Sequence, residues 1–420
     1  MTLSIRTDRQ LIRATARSNR YVLLRFTAPE APRSANRRPV NVAFVLDRSG
    51  SMSGANKFPL ARQAIEQSLR MLRPEDRFSL VVYDNAVDVL ARSTNATPTA
   101  IRQALYALST IDPRGSTDLC SGWMHGCEQV SEFVDEERTS RVLLLTDGLA
   151  NQGVQDRDTL ARHASELRER GVSTSTFGVG TDFDERLLRD MAHEGGGNFY
   201  FLENALQIPD LITSELGEAL EVVIPQGAIE LDVPRRAEAE VLNRFRSSPA
   251  DGSLRIELGD VVSAQEVEVI VRINFPNGEV GARAELRARV VSRGGDVVHS
   301  AVTEWTYATH VENDKQERDR EVDRRVAEIY ASRARADATE ANRRGDFAAA
   351  RGVIDRTAAR IHQYAGNDQV LNDCWNALLA DRPRYDEAVM SAPMMKSAYF
   401  AEEMVMKGRA SDGKARRSAR

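Results

Sequence analysis

Val42-Ala43-Phe44-Val45-Leu46 runs directly into Asp47-Arg48-Ser49-Gly50-Ser51. An apolar run with β-branched members, stopped by a polar turn that contains glycine, reads as a buried strand feeding a loop. The loop offers one carboxylate and two hydroxyls at alternating positions. Alternate side chains of an extended turn point the same way, so Asp47, Ser49 and Ser51 can converge on one point. Hard oxygens on short side chains, with no Cys or His among them, suit Mg²⁺ or Mn²⁺ rather than zinc or copper. Two later stretches extend the pattern. Gly115-Ser116-Thr117-Asp118 precedes an apolar-periodic segment, and Arg141-Val142-Leu143-Leu144-Leu145-Thr146-Asp147-Gly148 is a second buried strand ending in a carboxylate. Ligands of open α/β sheets bind beyond the carboxyl ends of the strands, near the switch point of strand order. Asp47 and Asp147 both fall at such ends, and Thr117 comes from a connecting loop.

The surrounding sequence supports that sheet. Strand patterns at 42–46, 78–83, 141–146, 172–178 and 198–201, with a short edge candidate at 87–90, alternate with helical patterns. The helices fall near 57–72, 98–109, 118–135, 156–170, 184–192 and 204–220. Such alternation predicts an α/β, doubly wound, mostly parallel sheet of Rossmann-like type with helices on both faces. Leu60, Ala64, Ile65, Leu69 and Leu72 give the helix after the loop its apolar face. Its N-terminal dipole points at the loop and favours anionic ligands there.

The order of Asp47-x-Ser49-x-Ser51, then Thr117, then Asp147 resembles the metal-ion-dependent adhesion site of the von Willebrand factor type A family, bacterial cytoplasmic type. The resemblance implies that Ser49, Ser51 and Thr117 ligate one divalent cation directly, with Asp47 and Asp147 acting directly or through water. It also implies a function: a partner protein supplies an Asp or Glu to complete the coordination of Mg²⁺ (or Mn²⁺). Family members of the chelatase and MoxR-associated type pair with AAA+ ATPases, so a non-ATPase adaptor of such a machine is an alternative. A structural component with a purely stabilising metal is a second. In the family, a change in coordination couples the metal to movement of the last helix, here 204–220, which leads into the next domain at Val222.

At Val222 the period changes from 3.6 to 2. Segments 228–233, 254–258, 267–273, 284–291 and 297–305 alternate polar and apolar, divided by turns at 248–252, 276–278 and 293–296. Five strands at this spacing predict a β-sandwich. The strand Tyr21–Phe26 has no other home, so the N-terminal strands are expected to join it, making the α/β domain an insert. From Asp314 the chain turns helical, with Val322, Val326, Ile329 and Tyr330 as an apolar stripe and five of the ten methionines beyond residue 389. The expected organisation is N-terminal strands over 1–38, the α/β domain over 39–221, the sandwich over 222–311, a helical region over 312–406 and a basic disordered tail over 407–420. A Pro- and Arg-rich linker spans 29–39.

Composition narrows the function. The 420 residues are 42% hydrophobic and 28% charged with net charge −5, ordinary for a globular chain and no reason to expect nucleic acid. Cys120, Cys127 and Cys374 are few and unpaired, which favours a reducing compartment. No apolar run reaches the ~18 residues of a membrane span, and residues 1–6 carry no signal-peptide core. A cytoplasmic protein is expected. The six histidines are scattered, and none lies in a nucleophile-like setting. The expectation is therefore a binding protein and not an enzyme, with metal-dependent hydrolysis as the rival to test. Arg48 is expected as a solvated loop residue, and Arg344-Gly345-Asp346 as a helical turn.

Overall fold

The computed structural model describes residues 1–31, 37–250, 253–385 and 388–417. The chain divides into two units, one of Met1–Glu30 with Ile224–Arg420 and one of Ala31–Val223. Parts of the expected linker, of the 248–252 turn and of the tail lie outside the described residues.

Strands β1 (Thr2–Thr7), β2 (Leu11–Arg13) and β3 (Ser18–Thr27) open the chain. The second unit follows as β4 (Val40–Asp47), α1 (Lys57–Met71), β5 (Arg77–Tyr83), β6 (Val87–Asn95), α2 (Pro98–Ser109) and α3 (Leu119–Ser131). It continues as β7 (Thr139–Thr146), α4 (Arg157–Glu169), β8 (Val172–Val179), α5 (Glu185–Glu194), β9 (Gly196–Leu202) and α6 (Ile208–Leu220). The sheet order is β6-β5-β4-β7-β8-β9, parallel except for β6. This is a mixed, mostly parallel sheet flanked by helices, as the alternation predicts. Every residue of β4, β7 and β8 is buried, which explains why these strands read as continuous apolar runs. Helix α3 lies close on β4 and β5 because its contact face carries glycine. A Cβ on Gly126 would come within 2.3 Å of Val45 Cγ2, and one on Gly122 within 2.3 Å of the Tyr83 ring.

The chain then forms β10 (Val222–Asp232), β11 (Glu238–Val241), β12 (Arg246–Ala250), β13 (Ser253–Val262), β14 (Glu266–Phe275), β15 (Arg283–Val291) and β16 (Val297–Ala308). Two sheets result, β1-β3-β14-β11 and β12-β13-β10-β15-β16-β2. Strand β3 runs antiparallel to β14 over its full length, from Ser18 opposite Phe275 to Thr27 opposite Glu266. Phe275 from one sheet meets Trp305 from the other at 5.0 Å between ring centroids. Strand β12 replaces part of the expected turn at 248–252. It contains Pro249, and its place at the sheet edge makes the missing N–H tolerable.

Helices α7 (His310–Lys315), α8 (Arg320–Arg343), α9 (Phe347–Ala365), α10 (Gln369–Asp381) and α11 (Ala392–Met406) complete the chain. Ala338, Ile354, Ile361, Leu371 and Met395 are among the side chains of their shared core. Met390, Met404 and Met406 are also buried. Asp346 caps α9 by accepting from the Ala349 N–H, so the Arg-Gly-Asp tripeptide serves a helix start. The tail corrects the sequence reading. The Glu266 N–H donates to the Arg416 carbonyl, Gln265 bridges to Arg417, and buried Arg409 donates to the Gly413 carbonyl at 2.6 Å. A composition argument for disorder counts side chains, and here backbone bonding at the start of β14 holds the segment. No helix among the described residues is long and apolar enough to cross a membrane.

Candidate metal centre

The sheet begins with β4 at its centre, builds outward to β5 and β6 on one side, then crosses to β7 on the other. The switch point therefore lies between the carboxyl ends of β4 and β7, where Leu46 pairs with Leu145 and the chains run on to Asp47 and Asp147. Asp47 is fully buried. Its carboxylate accepts the Ser49 N–H at 2.7 Å and the Thr146 hydroxyl at 2.6 Å. These bonds bend the loop so that Ser49 Oγ lies 3.0 Å from Ser51 Oγ. Ser51 Oγ donates to Asp147 Oδ1 at 2.6 Å.

Thr117 reaches the same place from the loop before α3. Its N–H donates to Asn151 Oδ1 at 2.9 Å, and its carbonyl accepts from the backbone N–H of Asn151 and Gln152. A Cβ on Gly148 would stand 3.5 Å from Thr117 Oγ1 and 3.7 Å from Ser51 Oγ, so both hydroxyls face one point beside this glycine. Asp47, Ser49, Thr117 and Asp147 are buried, while Ser51 is exposed. The structure thus brings the five sequence-predicted residues to one end of the sheet, with a face open to solvent at Ser51.

Burial pushes the Asp47 carboxyl up to about 6, against the hydrogen bonds from Thr146 and Ser49, and the nearby Asp147 charge adds to the rise. Desolvation disfavours the charged form of a buried carboxylate, and a nearby cation would favour it. Three hydroxyls and two carboxylates are the donor set of a hard, oxygen-preferring cation. Among the described residues no group of three or more His, Cys, Asp or Glu side chains is placed to hold a metal ion, so this mainly hydroxyl centre stands apart from the acidic and thiolate types.

Two groups of residues here escaped the sequence reading. Lys57 Nζ lies 2.5 Å from Asp147 Oδ2. Nothing in a lone lysine at a helix start signals that contact. Asp84 was legible, because it follows the strand of 78–83 just as Asp47 and Asp147 follow theirs. It accepts from Arg114 at 2.8 Å and lies 3.0 Å from Arg48, and its carbonyl accepts the Asp118 N–H at 2.8 Å. Arg48 is buried and also meets Asp88 at 2.6 Å. It therefore ties the loop after β4 to the end of β5 and to β6, and is not the solvated residue expected. Burial raises the Asp84 carboxyl, but hydrogen bonds from Arg114 and Ala86 with the charge of Arg48 outweigh it and hold the group below 3.8. A depressed carboxylate contributes stability above its unfolded pKa and loses it as pH falls through the folded value. Asp84→Asn should therefore flatten the acid limb of a Tm–pH curve below about pH 4. An unchanged slope there would remove Asp84 as the cause.

This fold and site define a doubly wound domain with a cluster of hydroxyls and carboxylates at the strand ends. Residues 41–214 match the family model of the von Willebrand factor type A domain, and this stretch is such a domain. Domains of this family commonly bind a divalent metal and mediate protein–protein interaction. The uncharacterized protein YfbK of Escherichia coli K12 is 28% identical over 184 residues, covering 44% of this chain and 32% of that protein. Human inter-alpha-trypsin inhibitor heavy chain H3 is 26% identical over 239 residues, covering 55% of this chain and 26% of that protein. The aligned region thus spans about a third or less of the curated relatives it matches. The solved von Willebrand factor type A structure from Catenulispora acidiphila superposes with TM-score 0.70 at 15% identity, covering 92% of this chain and 97% of that one. The ArnB paralog VWA2 from Sulfolobus acidocaldarius gives TM-score 0.62 at 16% identity over 99% of both chains. These structures share the fold over nearly the whole chain.

Proposed function

We propose that this protein is a divalent-metal-dependent protein-binding module and that its site has no catalytic role. Ser49, Ser51 and Thr117 would hold Mg²⁺ or Mn²⁺, with Asp47 and Asp147 beside them. When bound, the cation supplies a strongly electrophilic position for an outside carboxylate, an Asp or Glu of a partner protein. The observation that carries this reading is the placement of buried Asp47, Ser49, Thr117 and Asp147 around exposed Ser51. Asp47 orients Ser49 through its backbone N–H. Asp147 orients Ser51. The shell is rich in neutral hydroxyls, which leaves a divalent ion under-neutralised and ready for one more anion.

The test is capture of partners from host lysate by wild type and Ser49→Ala, each with Mg²⁺ and with EDTA. A protein held only by wild type with Mg²⁺ supports the reading. The same catch in all four arms moves the function elsewhere in the chain. Ester or phosphoester turnover lost on Asp47→Ala would replace it with hydrolysis.

A further inference from the structure

Lys57 is the first residue of α1, and three local features oppose its position. Ala55 has φ 50° and Asn56 has φ 56°, both in the left-handed region that non-glycine residues enter at a cost. A lysine in the first turn also sits at the positive end of the helix dipole. Yet the turn delivers its ammonium to Asp147 Oδ2 at 2.5 Å, with the side chain 16% exposed and Asp147 fully buried. Lys57 also passes against Gly180 at the end of β8, where a Cβ would be 3.9 Å from Nζ. Strain held by the surroundings in this way points to use at a functional site.

We infer that Lys57 is a tethered cation at Asp147 that makes metal occupancy of this site depend on an anionic ligand. The inference rests on the proposed metal-binding reading. Asp147 already has both oxygens engaged, one by Ser51 and one by Lys57. A metal entering alone meets a carboxylate whose charge Lys57 has offset. Two carboxylates, one ammonium and a divalent cation sum to one excess positive charge, which a single partner carboxylate cancels. Arg48 does not enter this sum, because Asp84 and Asp88 pair with it. Metal and carboxylate therefore support each other's binding, and linkage requires the coupling to act equally in both directions.

The experiment is Mn²⁺ binding to the full chain, followed by electron paramagnetic resonance, with and without acetate. Wild type, Lys57→Met and Lys57→Arg are compared. Methionine keeps a long helix-forming side chain without charge, and arginine keeps the charge. Lys57→Met should bind Mn²⁺ alone on the order of tenfold more tightly than wild type. Acetate should tighten Mn²⁺ in wild type and Lys57→Arg more than in Lys57→Met. Mn²⁺ bound by Lys57→Met but barely by wild type is the strongest form of the same result. Equal affinities in all three chains overturn the inference and leave the binding function standing. No Mn²⁺ bound by any chain overturns both.

Discussion

Glu215→Ala is expected to destabilise the domain by about 3–5 kcal/mol, because it removes the carboxylate of a buried ion pair with Arg141. Glu215 lies on α6, is fully buried, and receives Arg141 at 2.7 Å and Ser175 Oγ at 2.5 Å on one oxygen. Its other oxygen accepts from Asn198 at 3.0 Å and Tyr200 at 2.6 Å. These bonds join α6 to β7, β8 and β9. Loss of the carboxylate also removes an acceptor from three further buried or half-buried donors. For a domain of this size the Tm should fall by roughly 6–20 °C, read by calorimetry or by circular dichroism during heating. A fall of only a degree or two would mean that α6 is held by its apolar face alone. The same network bears on the helix movement that the family resemblance implies. A sliding α6 would have to break or carry these bonds, so hydrogen exchange in 208–220 measures both questions at once.

The second large effect is on the metal. Asp47→Asn should lower Mg²⁺ or Mn²⁺ affinity by about 10- to 100-fold, the usual loss when a group that orients or neutralises a metal shell is changed. Asn keeps the shape but presents only one oxygen to the Ser49 N–H and the Thr146 hydroxyl, which now share two. It also removes the negative charge. The metal-free variant should lose only the acceptor of one buried donor, about 1–3 kcal/mol, because burial already disfavours the charged form of Asp47. Titration calorimetry and thermal melts with and without Mg²⁺ separate the two effects. A variant that loses Tm equally in both conditions would show a folding role in place of a metal role.

Much of this was open to the sequence because it lies in local order. The apolar runs 42–46 and 141–146 read as buried strands since a parallel sheet covers both faces, and strand ends locate a site without knowledge of the neighbours. Helix boundaries shifted by a few residues: α3 ends at Ser131, short of 135, and α6 starts at Ile208 after a 3₁₀ turn at Ala205–Gln207 that Asn204 caps. The tail at 407–417 was misjudged because its partner, the start of β14, is far away in the chain. Arg48 was misjudged for the same reason, since Asp84 and Asp88 arrive from the end of β5 and from β6.

The sequence by itself determined the α/β alternation, the change of period at Val222 and the five oxygen-bearing residues, because periodicity and strand ends are properties of neighbours along the chain. Only the tertiary structure decided what surrounds those oxygens. It set Lys57 on Asp147, buried Arg48 under Asp84, and gathered Arg141, Ser175, Asn198 and Tyr200 on Glu215. Electrostatic partners are chosen by distance in space, and a charge carries no mark in the sequence of the opposite charge that will meet it.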